Sequence, residues 1–185
     1  VAGATHVALI RGINVGGRRP VPMARLREAL EERGYAGVRT YIQSGNVLLG
    51  APRRAPATVA TAVERALAEE FDVDTVVVAL TADALRTAVH DAPEGFGEAP
   101  DTFHSDVAFL RPGVSSADAL AAFGIREGVD TAWAGEGAVY FQRLSAERTK
   151  SRMSKVVGTP MYADMTIRSW TTTLALVAML DDATD

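Results

Sequence analysis

Four times within the first 80 residues the hydrophobic pattern switches between strand-like and helix-like spacing. Thr5 to Arg11 is a short apolar run bounded by Gly12, which reads as a buried strand. After a Gly-rich loop, Pro22 takes the N1 place. Met23, Leu26, Ala29 and Leu30 then recur at helical spacing, and Gly34 closes the helix as a C′ residue. Val38 to Gln43 and Val47 to Leu49 are β-rich runs separated by Ser44-Gly45-Asn46, a hairpin signal. Pro52 and Pro56 punctuate the next loop. Val59, Val63, Ala66 and Leu67 form an apolar helical stripe, and Val73 to Leu80 is a second buried strand. The order is β-α-β-β-α-β, the ferredoxin-like or split βαβ plan.

The second half runs through a related order. Thr81 caps a connecting helix that carries Leu85 and Val89, and Asp91 to Thr102 is a loop rich in Pro, Gly and acid. Asp106 to Arg111 reads as a strand and Ser116 to Phe123 as a short helix. Thr131 to Trp133 and Val139 to Arg143 form a hairpin turning at Gly135 to Gly137. Glu147 to Val157 reads as a helix ended by Gly158 and Pro160, and Trp170, Leu174 and Val177 mark a final amphipathic helix. The expectation is an α+β chain of two tandem ferredoxin-like subdomains with antiparallel sheets, over residues 1–80 and 105–185. A connecting helix and loop fill 81–104, and an extra helix ends the second subdomain. Element order alone carries this, because no internal sequence repeat is apparent.

Composition narrows the function classes. A chain of 185 residues with 48% hydrophobic content can bury a core, and a net charge of -4 argues against a generic polyanion binder. Zero cysteines exclude a disulfide framework, a catalytic thiol and any thiolate zinc site. Val76 to Leu80 and Leu174 to Leu180 fall far short of the roughly 20 apolar residues that span a bilayer. No charged and apolar leader opens the chain, so a cytoplasmic protein without a membrane partner is expected. Lys150 and Lys155 are the only lysines, and Asn14 and Asn46 the only asparagines. In so Arg- and Ala-rich a chain they are candidates for positions where a substitute fails chemically.

In a split βαβ unit, the loop leaving the first strand and the hairpin joining the second and third emerge at one end of the sheet. Arg11, Asn14, Gly16 and Gly17 should therefore meet Gln43, Ser44 and Asn46 there. Glycines let backbone N–H groups approach an anion, and a loop that feeds a helix N-terminus adds the positive end of its dipole. Arg11 can pair bidentately with phosphate or carboxylate, while Asn14, Gln43 and Asn46 offer amide donors and acceptors; Arg18 and Arg19 widen the positive field. Gly12 to Gly17 matches neither nucleotide fingerprint. The competing reading is a pair of tight turns whose Gly and Asn residues serve φ. A second basic cluster holds Arg143, Arg148, Lys150, Arg152 and Lys155, and Lys150 and Lys155 join the candidate ligand-binding set; its competing reading is a solvated helix face. His6, His90 and His104 share no metal spacing and no nearby acid pair, so no metal site, catalytic residue or cofactor is assigned.

The residues also carry a resemblance. Val7-Ala8-Leu9-Ile10-Arg11-Gly12-Ile13-Asn14-Val15-Gly16-Gly17, then Met23-Ala24 and Leu26, then Val38 to Val47 around Tyr41-Ile42-Gln43-Ser44-Gly45-Asn46, resemble the domain of unknown function family 1697. Lys150-Ser151-Arg152-Met153-Ser154-Lys155, Gly158-Thr159-Pro160 and Thr166 to Trp170 are similar to its C-terminal signature, so the resemblance runs over nearly the whole chain. It implies an α+β fold with ferredoxin-like subdomains and no established activity. Arg18-Arg19-Pro20 stands where the family would have a lysine after the double glycine, and Arg168-Ser169-Trp170 replaces Arg-Asn-Trp.

The expected function is recognition of an anionic metabolite or nucleotide at the Gly/Asn loops, with the Lys150 to Lys155 segment closing over it. One alternative is single-stranded nucleic acid on the second sheet, stacked on Phe109, Tyr140 and Phe141. The other is an interaction or assembly module pairing through open sheet edges; no sequence feature sets an oligomeric state.

Overall fold

The structure, a computed structural model, describes residues 3–182. The outermost residues of the two expected subdomains, 1–2 and 183–185, lie outside it. The first half is built from β1 (His6–Ile10), α1 (Met23–Glu32), β2 (Ala36–Tyr41), β3 (Asn46–Gly50), α2 (Pro56–Phe71) and β4 (Val77–Thr81). Its strands lie in the order β2-β3-β1-β4, and every neighbouring pair is antiparallel. Alternation sends Ala8, Ile10, Val47 and Leu49 to one face, where Leu26 and Leu30 of α1 and Val63 and Leu67 of α2 cover them completely. Each such Leu or Val contributes about 1.5–3 kcal/mol by leaving water. The other face carries Val7, Leu9, Leu48 and Val78, also fully buried.

The second half repeats the strand order with different fillings. It comprises α3 (Ala82–His90), β5 (Phe103–Leu110), α4 (Ser116–Ala122), β6 (Asp130–Gly135), β7 (Ala138–Leu144), β8 (Met165–Ser169) and α5 (Trp170–Asp181). The sheet runs β6-β7-β5-β8, again antiparallel throughout. Ala108, Val139, Phe141 and Met165 pack on Ala119 and Phe123, with Met153 and Val156 closing the core. Contacts group the chain up to Arg86 with the residues from Ala175 onward as unit 1, and Thr87–Leu174 as unit 2. The C-terminal half of α5 thus belongs with the first sheet, where Arg39 donates to the Met179 carbonyl at 2.6 Å.

Three expectations are corrected. The helix read over Glu147 to Val157 is instead a series of 3-10 turns over Ser145–Lys150, Met153–Gly158 and Pro160–Asp164. Asp130 Oδ2 accepts the backbone N–H of Arg152 at 2.9 Å, and Ser151 is extended at ψ 145, so the chain leaves helical register between the first two turns. β8 escapes the sequence pattern, because Thr166 and Arg168 alternate with Met165 and Ile167 and yet are buried. In α5 the buried stripe is Thr173, Leu176 and Leu180 rather than Trp170, Leu174 and Val177; Leu174 is 43% exposed. Among the described residues no helix is long and apolar enough to cross a membrane.

Candidate functional site

The two loops expected to meet do so. Leu9 pairs with Asn46, and the Ile10 amide donates to the Gly45 carbonyl at 2.8 Å, which sets the hairpin against the end of β1. Gly45 is required here: at φ +90, a Cβ would fall 2.9 Å from both Cβ and the carbonyl oxygen of Ile10. Beyond Ile10, the Arg11 amide donates to Val76 at 3.0 Å and the Thr75 hydroxyl donates to the Arg11 carbonyl. Arg11 is thereby fixed by its backbone at the mouth of the loop, half-buried.

Asn14 organises the rest of the loop. Its Nδ2 donates to the carbonyls of Val21 at 2.8 Å and Gln43 at 2.9 Å, and its Oδ1 accepts the Val21 amide at 2.7 Å. One side chain therefore ties loop, hairpin and the entry to α1 together, at a φ of 55 that Asn tolerates well. Between Asn14 and Arg19 the chain makes a miniature hairpin: Val15 bridges Arg18, and Gly16 and Gly17 both take positive φ, 59 and 72, as a type I′ turn demands. Nothing lies within 4 Å of where a Cβ would stand on either glycine, so the turn faces open space.

Asn46 is completely buried, and its Nδ2 donates to the Tyr41 carbonyl at 3.1 Å and Ser44 Oγ at 3.3 Å. The two asparagines singled out by their scarcity thus hold the loops, while Gly16, Gly17, Gln43, Arg18 and Arg19 stand exposed. No ion pair links Arg18 or Arg19 to a carboxylate among the described residues. Arg25 and Arg33, by contrast, are consumed by Glu32, Glu69 and Glu70 between α1 and α2, at 2.8 to 3.2 Å. Ile42 is 52% exposed at φ 47, a left-handed conformation in which a β-branched residue is strained by about 1–3 kcal/mol.

Two signals in the sequence point to groups that motif and spacing miss. Residues 1–63 hold nine arginines, three glutamates and no aspartate, while the remainder holds ten basic and twenty acidic residues. The overall charge of -4 conceals a basic stretch over residues 1–63, and Arg11 through Arg27 contains no acid at all. The second is His104-Ser105-Asp106, whose ends share one face of a strand: His104 Nε2 lies 3.2 Å from Asp106 Oδ1, a single acid rather than the pair a metal site would want. Asp106 is 6% exposed, and burial pushes its carboxyl above the ordinary aspartate range against the pull of His104 and Arg143.

Lys150 and Lys155 belong to unit 2 and are exposed; Lys150 pairs with Glu147, and Lys155 sits in the second 3-10 turn. The basic cluster is split in its roles, since Arg143 Nη1 donates to Met153 Sδ at 3.0 Å and lies 3.7 Å from Asp106. Phe109, Tyr140 and Phe141, on which bases would stack, are at most 2% exposed. Burial, with the nearby Asp91 adding to it, pushes the Tyr140 phenol up to about 12, and its hydroxyl donates to the Ala88 carbonyl at 2.6 Å.

Among solved structures, the conserved bacterial protein SP0830 from Streptococcus pneumoniae is similar, with a TM-score of 0.79 over 97% of this chain and 99% of that one. At 22% identity that likeness shows the fold, a mixed α+β chain with two four-stranded antiparallel sheets and a C-terminal helix. No curated protein matches the chain. A family model described as a protein of unknown function, DUF1697, matches residues 4–140, which takes in the whole Arg11 to Asn46 loop end and leaves the Lys150 to Lys155 and Arg168 to Trp170 segments outside the match. Over that span the chain belongs to the DUF1697 family.

Proposed function

We propose that unit 1 is a binding module for a small anionic metabolite or nucleotide, received at the loop end formed by Arg11 to Arg19 and Ile42 to Gly45. The observation that carries this reading is the acid-free, arginine-rich loop. Arg18 and Arg19 stand exposed beside the open Gly16-Gly17 turn in a stretch, residues 1–63, where arginine outnumbers acid three to one. Positive charge concentrated at one end attracts anions, and an exposed glycine turn lets their oxygens reach backbone N–H groups. In this reading Asn14 and Asn46 position the loops, and the arginines and turn amides meet the ligand. Strain at an exposed Ile42, held by the Asn14 bond to Gln43, supports it further, because such strain persists where a site needs a fixed shape.

The test is a thermal-shift panel of nucleotides, sugar phosphates, small carboxylates and short single-stranded RNA, at low and physiological salt. A ligand at a hundredfold excess over its Kd adds about 2.7 kcal/mol, several degrees for a chain this size. The expected result is a salt-tolerant shift with one small anion that disappears in the double variant Arg18→Gln/Arg19→Gln. A shift with RNA alone, lost at physiological salt, or a shift that survives the double variant, overturns the reading.

A further inference from the structure

The central strand of unit 2 is unequally paired. β7 runs alongside β5 from Phe103 to Phe109, but β8 pairs only from Asp106 to Leu110. Phe103, His104 and Ser105 therefore have no partner strand on the β8 side, because the chain turns there from β8 into α5. The gap is a cavity of about 220 Å³, bordered by those three residues, by Ser169 and Trp170 where α5 begins, and by Pro100.

Ser105 makes this gap chemically distinctive. It lines the cavity, is only 8% exposed, and its hydroxyl has no hydrogen-bond partner in the protein. An orphaned buried hydroxyl costs about 1–3 kcal/mol, so a ligand that satisfied it would recover that loss. The opposite wall is the N-terminus of the 12-residue α5. Ser169 Oγ accepts the Thr172 amide at 3.2 Å, which leaves the amides of Trp170 and Thr171 without an intrahelical partner at the positive end of the helix dipole. Arg168 is buried on the sheet face that Ser105 shares, one pair along at Val107, and burial drops its guanidinium to about 10. Its Nη1 donates to Thr166 Oγ1 and to the Ile167 carbonyl, both at 2.9 Å. Phe103, Pro100 and the Trp170 indole supply an apolar side.

We propose that this cavity is a second binding site, specific for a short carboxylate with a small apolar tail. The carboxylate accepts from Ser105 Oγ and the first amides of α5, and the tail lies against Trp170 and Phe103. The volume suits a ligand smaller than a nucleotide, since sites for larger ligands run to roughly 300–1,000 Å³. His104, whose Nε2 lies 3.2 Å from Asp106 Oδ1, borders the same cavity.

The experiment titrates isotope-labelled full chain with sodium propionate and sodium benzoate, and with propionamide and benzamide as uncharged counterparts. The indole N–H of Trp170 and the amide of Ser105 are followed by NMR. The expected result is a saturable shift of both signals by a carboxylate and not by its amide, weakened at least tenfold in Ser105→Ala. That variant should melt at the same temperature or higher, because it removes a buried hydroxyl that has no partner. Arg18→Gln/Arg19→Gln should leave the titration unchanged, which separates this site from the unit 1 loops. No saturable shift, equal binding by the amides, or undiminished binding in Ser105→Ala overturns the proposal.

Discussion

In unit 1 the Ile10 amide donates to the carbonyl of Gly45 at 2.8 Å, and in unit 2 the Leu110 amide donates to that of Gly137 at 2.9 Å. An arginine follows each: the Arg11 amide donates to Val76 at 3.0 Å, the Arg111 amide to Asp164 at 2.9 Å. From these matched points the units diverge. Twelve residues separate Ile10 from α1, enough for a miniature hairpin and two exposed arginines, whereas five separate Leu110 from α4, closed by the Ser115 cap on the Asp118 amide. Unit 2 is elaborated at the other end of its sheet, where β5 outruns β8 and His104, Asp106 and Ser105 cluster. Under the two proposals above, one strand order would support two sites at opposite sheet ends. Loop length and the polar residues on strand ends would then decide which end is used, as expected if function is grafted onto a fold rather than implied by it.

The comparison can be broken first at the hairpins. Gly45→Ala must meet the Ile10 backbone and hold Ala at positive φ, so we expect a loss of about 3 kcal/mol or more in chemical denaturation. Gly137→Ala, at φ +63 with open space around it, should lose only about 1–2 kcal/mol. Equal losses would mean that the two hairpins seat alike. Next come the residues that fix each loop. Asn14→Ala removes three hydrogen bonds to Val21 and Gln43 and leaves Ala left-handed, for about 2–3 kcal/mol. Ser115→Ala, the shorter loop's cap, should cost about 1 kcal/mol. A smaller effect of opposite sign is expected at Ile42: Ile42→Asn relieves left-handed strain and should raise stability by about 0.5–1 kcal/mol while weakening anion binding.

The smallest effect is a pH dependence contributed by His6 in unit 1. The Ala51 amide donates to Thr5 Oγ1, the Thr5 hydroxyl to His6 Nδ1, and His6 Nε2–H to the Arg54 carbonyl, a chain that fixes His6 in its neutral form. Burial lowers its pKa against the pull of that carbonyl. The unfolded chain then takes up a proton before the folded one, so stability falls as pH drops below about 6.5 and levels off below the folded pKa. His6→Gln should flatten the urea midpoint between pH 7 and pH 5; an unchanged slope would remove His6 from the account.

Much of this was legible from residue spacing. The β-α-β-β-α-β order of the first half and the meeting of Arg11 to Gly17 with Gln43 to Asn46 follow from hydrophobic runs, turn residues and a chirality rule, and all are local or topological signals. The 3-10 series after Leu144 was not legible, because Asp130, 22 residues upstream, captures the Arg152 amide and overrides the helical pattern of Glu147 to Val157. β8 was hidden by Thr166 and Arg168, which are buried through contacts that no local pattern announces. Asn14 and Asn46 were found through their rarity, but only geometry distinguishes an amide that meets a ligand from one spent on Val21, Gln43 or Tyr41. Net charge misled by averaging basic residues 1–63 with an acidic remainder.

The most direct test of the central claim, that unit 1 carries an anion site and its counterpart end in unit 2 does not, is to titrate isotope-labelled protein with inorganic pyrophosphate. The amides of Gly16, Gly17 and Arg18 would be followed beside those of Gly113 and Gly137. The account predicts saturable shifts at the first three and none at the last two, lost in Arg18→Gln/Arg19→Gln. Equal shifts at both ends, or none at Gly16 and Gly17, would contradict it.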